Sequence, residues 1–257
     1  MKIISRGYLS RSRYRMQYLS DLHLEYKSIV PKIKPVGTYL ALLGDIGNPY
    51  HYNYRDFLTQ VSYKFEKVFV IPGNHEYWNH DNMDATINQI VKITYRFPNL
   101  YLLNNDSYQL DDITILGTTL WSEIGLSNQS QYNKRGDHAN ILYRDQKITV
   151  KDINKIHNKA VAWLEQEIPK SKKTIVLTHH LPSYQLIIPK YRGVRYEMIH
   201  DRFASHLDYL IQPSIVAWLS GHSHCRVDMK INGVFCSINA IGHGCVRHLE
   251  NKTVLLT

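Results

Sequence analysis

Ser20-Asp21-Leu22-His23-Leu24-Glu25 follows directly on the apolar run Met16 to Leu19. An aspartate and a histidine two residues apart at the end of a short strand point to the same side and can share one metal ion. The pattern recurs down the chain. Thr38 to Leu43 ends in Gly44-Asp45-Ile46-Gly47-Asn48, and Lys67 to Ile71 ends in Pro72-Gly73-Asn74-His75-Glu76. Thr174 to Thr178 leads into His179-His180-Leu181-Pro182, and Ile215 to Leu219 into Ser220-Gly221-His222-Ser223-His224. Nearly continuous apolar runs of this length suit strands buried on both faces. Binding sites of open α/β sheets gather at the carboxyl ends of strands, so these five loops are expected to converge.

Between the strands, Phe57, Leu58, Val61 and Phe65 recur at helical spacing. So do Ile87, Ile90, Val91 and Tyr95, in a helix that Pro98 stops, and Ile153, Ile156, Ala160, Leu164 and Ile168, in one that Pro169 stops. Short strands are expected near Tyr101, Tyr108 and Ile113 to Gly117, with a turn at Asp111-Asp112 between the last two. Arg226 to Ile231 and Val234 to Ile238 read as a hairpin closed by Asn232-Gly233. A further helix is expected near Phe203 to Leu210. Residues 121 to 148 read as an irregular rim or lid.

The chain of 257 residues is 44% hydrophobic and 21% charged, which suits a soluble globular protein with a substantial core. No apolar run approaches the roughly 18 residues of a membrane helix. The net charge of +9 invites a nucleic-acid reading, but Lys2, Arg6, Arg11, Arg13 and Arg15 carry five of those charges ahead of the first strand, leaving a mildly basic body. The organisation expected is a leader over residues 1–15, read as a flexible arm, then one domain over 16–257. Its Arg- and Ser-rich, acid-free composition also leaves organellar targeting open beside a cytoplasmic location. Cys225, Cys236 and Cys245 form no CxxC pair and suit a reducing compartment, with Cys225 read as a small buried hydrophobe.

Asp21, His23, Asp45, Asn74, His179, His222 and His224 together supply carboxylate, amide and imidazole donors, the mixture that first-row transition metals accept. One carboxylate can bridge two ions about 3.5–4 Å apart and clamp them for displacement at phosphorus. In their order, Asp21-x-His23, Gly44-Asp45, Gly73-Asn74-His75-Glu76, the histidine of Thr178-His179-His180 and Gly221-His222-x-His224 resemble the five motifs of the calcineurin-like metallophosphoesterase superfamily. The resemblance spans residues 20 to 224.

It implies an α/β (α+β-like) fold: two packed mixed β-sheets flanked by helices, a four-layer sandwich. It also implies a dinuclear centre of two divalent ions, manganese, iron, zinc, cobalt or nickel. Asp21, His23, Asp45 and His224 would hold one ion, Asp45, Asn74, His179 and His222 the other, with Asp45 as the bridge. His75 matches the family's catalytic histidine outside the ligand set, which contacts phosphate and protonates the leaving oxygen. The implied reaction is hydrolysis of a phosphomonoester or phosphodiester by in-line attack of a metal-bound hydroxide. Two departures stand out: Asn48 replaces an aspartate frequent in relatives, and Ser223 a threonine.

Other residues carry weaker expectations. His180, next to His179 on an extended chain, should face away and support rather than ligate. Glu76 either orients a neighbour or caps a turn. His243 is read as a plain loop histidine. Tyr191, Arg192, Arg195 and Tyr196, with Lys134, Arg135 and His138, are read as solvated loop residues in preference to phosphate contacts. The mild charge of the body favours a small molecule or nucleotide as substrate. A nuclease acting on nucleic-acid ends and a non-catalytic protein-binding scaffold are the alternatives.

Overall fold

Each apolar run that ends in a polar motif is a strand, and the periodic stretches between them are helices. In chain order the elements are β1 Arg15–Leu19, β2 Tyr39–Leu43, α1 Tyr52–Ser62, β3 Lys67–Ile71, α2 Met83–Thr94, β4 Leu100–Leu102, β5 Asp106–Leu110 and β6 Ile113–Thr118. Then come α3 Gln129–Tyr132, α4 Asp137–Asn140, β7 Leu142–Tyr143, β8 Gln146–Lys147, α5 Val150–Glu167, β9 Thr174–Thr178, α6 Glu197–His200, β10 Ile215–Ser220, β11 Arg226–Ile231, β12 Val234–Asn239 and β13 Lys252–Leu255. The computed structural model describes residues 14–79, 81–125, 128–132, 136–193, 196–243 and 252–256. Lys134, Arg135, Arg195, Cys245 and the leader up to Arg13 lie outside them.

One sheet has the order β13-β1-β2-β3-β4, parallel except for β13. The other has the order β11-β12-β10-β9-β6-β5, parallel in its middle and antiparallel in its two outer hairpins. Alternation along the strands sorts the side chains into layers. Tyr39, Ala41 and Leu43 of β2 and Phe69 and Ile71 of β3 meet Ile175 and Leu177 of β9 and Ala217 and Leu219 of β10 between the sheets. Leu40, Leu42, Val68 and Val70 face outward onto Phe57, Leu58 and Val61 of α1 and Ile90 and Ile93 of α2. Val176 and Trp218 face the other way onto Ala160 and Leu164 of α5. The result is four layers, helices outside two mixed sheets, as expected.

Local chemistry sets the element ends. A capping box opens α5, where the Thr149 hydroxyl accepts from the Asp152 amide and the Asp152 carboxylate accepts from the Thr149 amide. Asn232 and Gly233, with φ of 50° and 82°, close the β11–β12 hairpin with the left-handed pair such turns require.

Two expectations need correction. Residues 203–210 do not form a helix: Ala204 bridges Leu181, the Ser205 amide donates to the Leu181 carbonyl and the Leu207 amide to that of Pro182. Only Asp208–Leu210 makes a 3-10 turn. Backbone donors engaged with the segment after β9 are not free for a helical ladder. Likewise residues 121–148 are not uniformly irregular, since α3, α4 and the β7–β8 hairpin lie within them. β13, which pairs antiparallel with β1, has no counterpart in the sequence reading.

Candidate metal centre

The carboxyl ends of β1, β2 and β3 in one sheet and of β9 and β10 in the other meet at one edge of the sandwich. All seven candidate ligands lie there. The sheets are stitched together at this edge: the Gly221 amide donates to the His179 carbonyl at 2.9 Å, and the His179 Nδ1–H donates to the Leu43 carbonyl at 2.8 Å. Close approach is built in. A Cβ at Gly44 would run into the His179 ring, and one at Gly73 into the Asp45 carboxylate. Asp21, His23, Asp45, His222 and His224 all have positive φ, between 48° and 65°. Left-handed backbone is costly for residues with a Cβ and collects where function demands it.

Asp45 divides the site. Its Oδ1 lies 3.3 Å from His179 Nε2 and its Oδ2 3.9 Å from His23 Nε2. On the His23 side, His23 Nε2 faces His224 Nε2 at 2.9 Å, and Asp21 Oδ1 is 3.3 Å from the same His224 nitrogen. On the His179 side, His179 Nε2 is 2.9 Å from Asn74 Oδ1 and 3.2 Å from His222 Nδ1.

The outer atoms of these side chains are held, which fixes what the inner atoms offer. His179 donates from Nδ1 to Leu43, His222 from Nε2 to the Arg202 carbonyl at 3.1 Å, and Asn74 from Nδ2 to Asp137 Oδ1 at 2.8 Å. Once His179 gives up its Nε2 proton, it and neutral His222 turn lone pairs inward, toward the Asn74 amide oxygen and the Asp45 carboxylate. Four acceptors pointed at one another repel unless a cation lies among them. Asp21 Oδ1, fully buried, accepts no hydrogen bond from backbone or hydroxyl and has only the imidazoles of His224, at 3.3 Å, and His23, at 4.0 Å, beside it. A buried carboxylate oxygen is costly unless a positive group meets it, and a metal ion shared with those imidazoles would do so. The donor set thus fits metal ions.

With no ion among them, a proton on His179 takes the cation's place. Burial opposes ionisation of Asp45, but the positive His179 beside it outweighs that and holds the carboxyl well below the usual range. Burial opposes charge on His179 as well, yet Asp45 pushes it up to about 9. His222, buried and next to His179, is held down to about 3.

Five residues, His75, Glu25, Trp78, Asp137 and Glu76, surround this cluster without belonging to the sequence-derived ligand set. His75 shares Glu25 Oε1 with His23, each ring nitrogen 3.1 Å from that oxygen, and stacks on Trp78 with centroids 3.8 Å apart. Burial lowers the His75 pKa, but the Glu25 hydrogen bond and the Asp45 charge raise it above the ordinary 6.5. Asp137 accepts from both Asn74 and the Trp78 indole, each at 2.8 Å. Glu76, with no exposed surface, accepts from the amides of Asp45 at 2.9 Å, Ile46 at 2.8 Å, Gly47 at 3.4 Å and Gly73 at 2.7 Å, so it ties the second motif loop to the third. Burial and the Asp45 charge push its pKa up to about 7.

Glu25, Trp78 and Asp137 were not among the residues singled out from sequence. Glu25 was in view at the end of the first motif, and the 3-10 turn Leu24–Tyr26 folds it back onto the site. His243 is not a plain loop residue: its ring stacks on His23 with centroids 4.3 Å apart. His180 stacks on His222 at 4.0 Å while its Nδ1 meets the Ser122 hydroxyl at 2.9 Å, and a nitrogen of its ring lies within 4.8 Å of nitrogens of His179 and His222. The Arg192 side chain donates to the carbonyls of Ile187 and Gln185, and His138 to that of Ile148, so both serve local backbone. Asn48 accepts from the Tyr50 amide and closes a turn.

The family model for calcineurin-like phosphoesterases matches residues 18–226. The chain belongs to that family. Among its relatives is an uncharacterised protein of Acanthamoeba polyphaga mimivirus, 31% identical over 92% of this chain and 94% of its own length. A phosphopantetheinyl hydrolase from Mycobacterium tuberculosis shares the fold at 17% identity, with a TM-score of 0.72 over 96% of this chain and 98% of that one. A dimetal phosphatase from Danio rerio is similar over 88% of this chain and 87% of its own, with a TM-score of 0.50 and 12% identity. Metal-dependent hydrolysis of phosphoesters is the general activity of the family. No helix among the described residues of this calcineurin-like phosphoesterase is long and apolar enough to cross a membrane.

Proposed function

We propose that this chain is a dinuclear metal-dependent phosphoesterase acting on a small organic phosphoester or nucleotide. The observation that carries the reading is Asp45, whose two oxygens face two separate donor clusters. Asp21, His23, Asp45 and His224 would hold one ion, Asp45, Asn74, His179 and His222 the other. Bound divalent ions supply Lewis-acid polarisation of the phosphoryl group and a water acidic enough to attack near neutral pH.

The chain's own residues do the rest. Glu25 orients His75 through its Nδ1. Trp78 fixes the face of the imidazole, and His75 lines the cleft beside Asp45 and Asn74. From there the His75 imidazolium delivers a proton to the departing alcohol oxygen. Asp137 holds the Asn74 amide so that its oxygen faces inward. A small substrate is favoured because the cleft is a walled cavity of about 460 Å³, within the usual range for small ligands, rather than a basic groove.

The test pairs metal analysis of the purified protein with hydrolysis of an aryl phosphomonoester and an aryl phosphodiester, with manganese and with chelator. About two ions per chain and chelator-sensitive turnover are expected. Metal-loaded protein inert on both esters would overturn the catalytic reading and favour a scaffold. Cleavage of single-stranded DNA ends in preference to both would favour a nuclease.

A further inference from the structure

The cavity that opens from the donor cluster is mostly apolar, walled by Trp78, Ile187 and Phe203 among others. Three of its lining residues depart from that character in the same way. Arg202 Nε, the Tyr132 hydroxyl and the Ser223 hydroxyl are buried and have no hydrogen-bond partner among the described residues. Tyr132 is only 4% exposed. Burial together with the Asp137 charge raises its pKa far above the ordinary 10.0, so the hydroxyl stays protonated. The Arg202 guanidinium lies 5.8 Å from the Tyr132 ring centroid and makes no ion pair among the described residues.

All three groups can donate, and a charged donor buried without an acceptor is an unstable arrangement that a ligand acceptor would relieve. A phosphate oxygen suits an arginine and hydroxyl set best, because the hydrogen bonds are charge-assisted. The apolar walls suit the organic portion that separates such a group from the scissile ester.

We propose that the cavity is a specificity subsite in which Arg202 and Tyr132, with Ser223 beside them, bind a second phosphate group of the substrate. The substrate class is thus a nucleotide-sized organic phosphoester with two phosphates, one at the Asp45 cluster and one at Arg202. This inference rests on the phosphoesterase reading above.

The test compares adenosine 3′,5′-bisphosphate with adenosine 5′-monophosphate, which differ only in the second phosphate, in the wild type, Arg202→Gln and Tyr132→Phe. The wild type should prefer the bisphosphate by about tenfold or more in kcat/KM, mainly through KM, as expected for one charge-assisted contact. Arg202→Gln should bring the two substrates close to parity. Tyr132→Phe, which keeps the ring, should reduce the preference about threefold. Substituting the Arg202 side chain leaves its backbone carbonyl in place for His222.

Equal losses on both substrates would mean that Arg202 is merely structural and would overturn the proposal while leaving the phosphoesterase reading intact. So would a wild type without preference. If no phosphoester is turned over, the phosphoesterase reading fails separately, and calorimetry decides the subsite. Bisphosphate binding weakened by Arg202→Gln would then support it, and absent or unchanged binding would overturn it.

Discussion

At the scale of single residues, the seven candidate ligands could be read directly because each sits in a short motif after an apolar strand. Their supports could not. Asp137 reaches Asn74 across 63 positions, and no local pattern announces such a contact. His243 has only glycine neighbours as a clue to its place against His23. His75→Ala should keep the metal content and lose about 10²–10⁴ in turnover, the usual worth of a general acid. Asp45→Asn should lower both, which metal analysis alongside the assay will separate. Glu76→Ala should cost about 3 kcal/mol or more in denaturant unfolding, because four backbone amides lose their buried acceptor.

Among the elements, strands buried on both faces are legible as apolar runs, and β2, β3, β9 and β10 fall where the sequence places them. The segment 203–210 misleads because Phe203, Leu207 and Leu210 have helical spacing while their backbone neighbours pair with residues 181 and 182. β13 escapes because its residues are half-buried or exposed and its partner β1 lies at the far end of the chain. Loop geometry at the strand ends gives its own test. Gly73→Ala should empty the site, read by metal analysis, while far-UV circular dichroism stays native, since the added methyl meets Asp45 and His179 rather than the sheet.

For the molecule as a whole, each proposed ion would take ligands from both sheets, so binding should stabilise the sandwich. At an ion concentration 100 times Kd the gain per ion is about 2.7 kcal/mol. With both ions bound, manganese should therefore raise Tm by roughly 10–20 °C for a chain of this size, and chelator should reverse it. Acid should act through a different group. His157, buried on α5 with Nδ1 against the Trp121 carbonyl, is held below its ordinary 6.5 by burial. The unfolded chain then takes up this proton first as pH falls through 6.5, and stability drops by up to about 1.4 kcal/mol per pH unit until the folded His157 titrates. His157→Gln should reduce that slope in urea titrations carried out between pH 5 and 7, leaving the share that buried His180 and His222 contribute in the same direction.

The positive φ angles of Asp21, His23, Asp45, His222 and His224 set fold against function at the same positions. A glycine at any of them removes a donor yet relaxes the backbone by about 1 kcal/mol. Without ions, His224→Gly should therefore melt higher than the wild type, and with ions the order should reverse. On stability alone glycine would suit all five positions better, and holding ions is what would offset that cost.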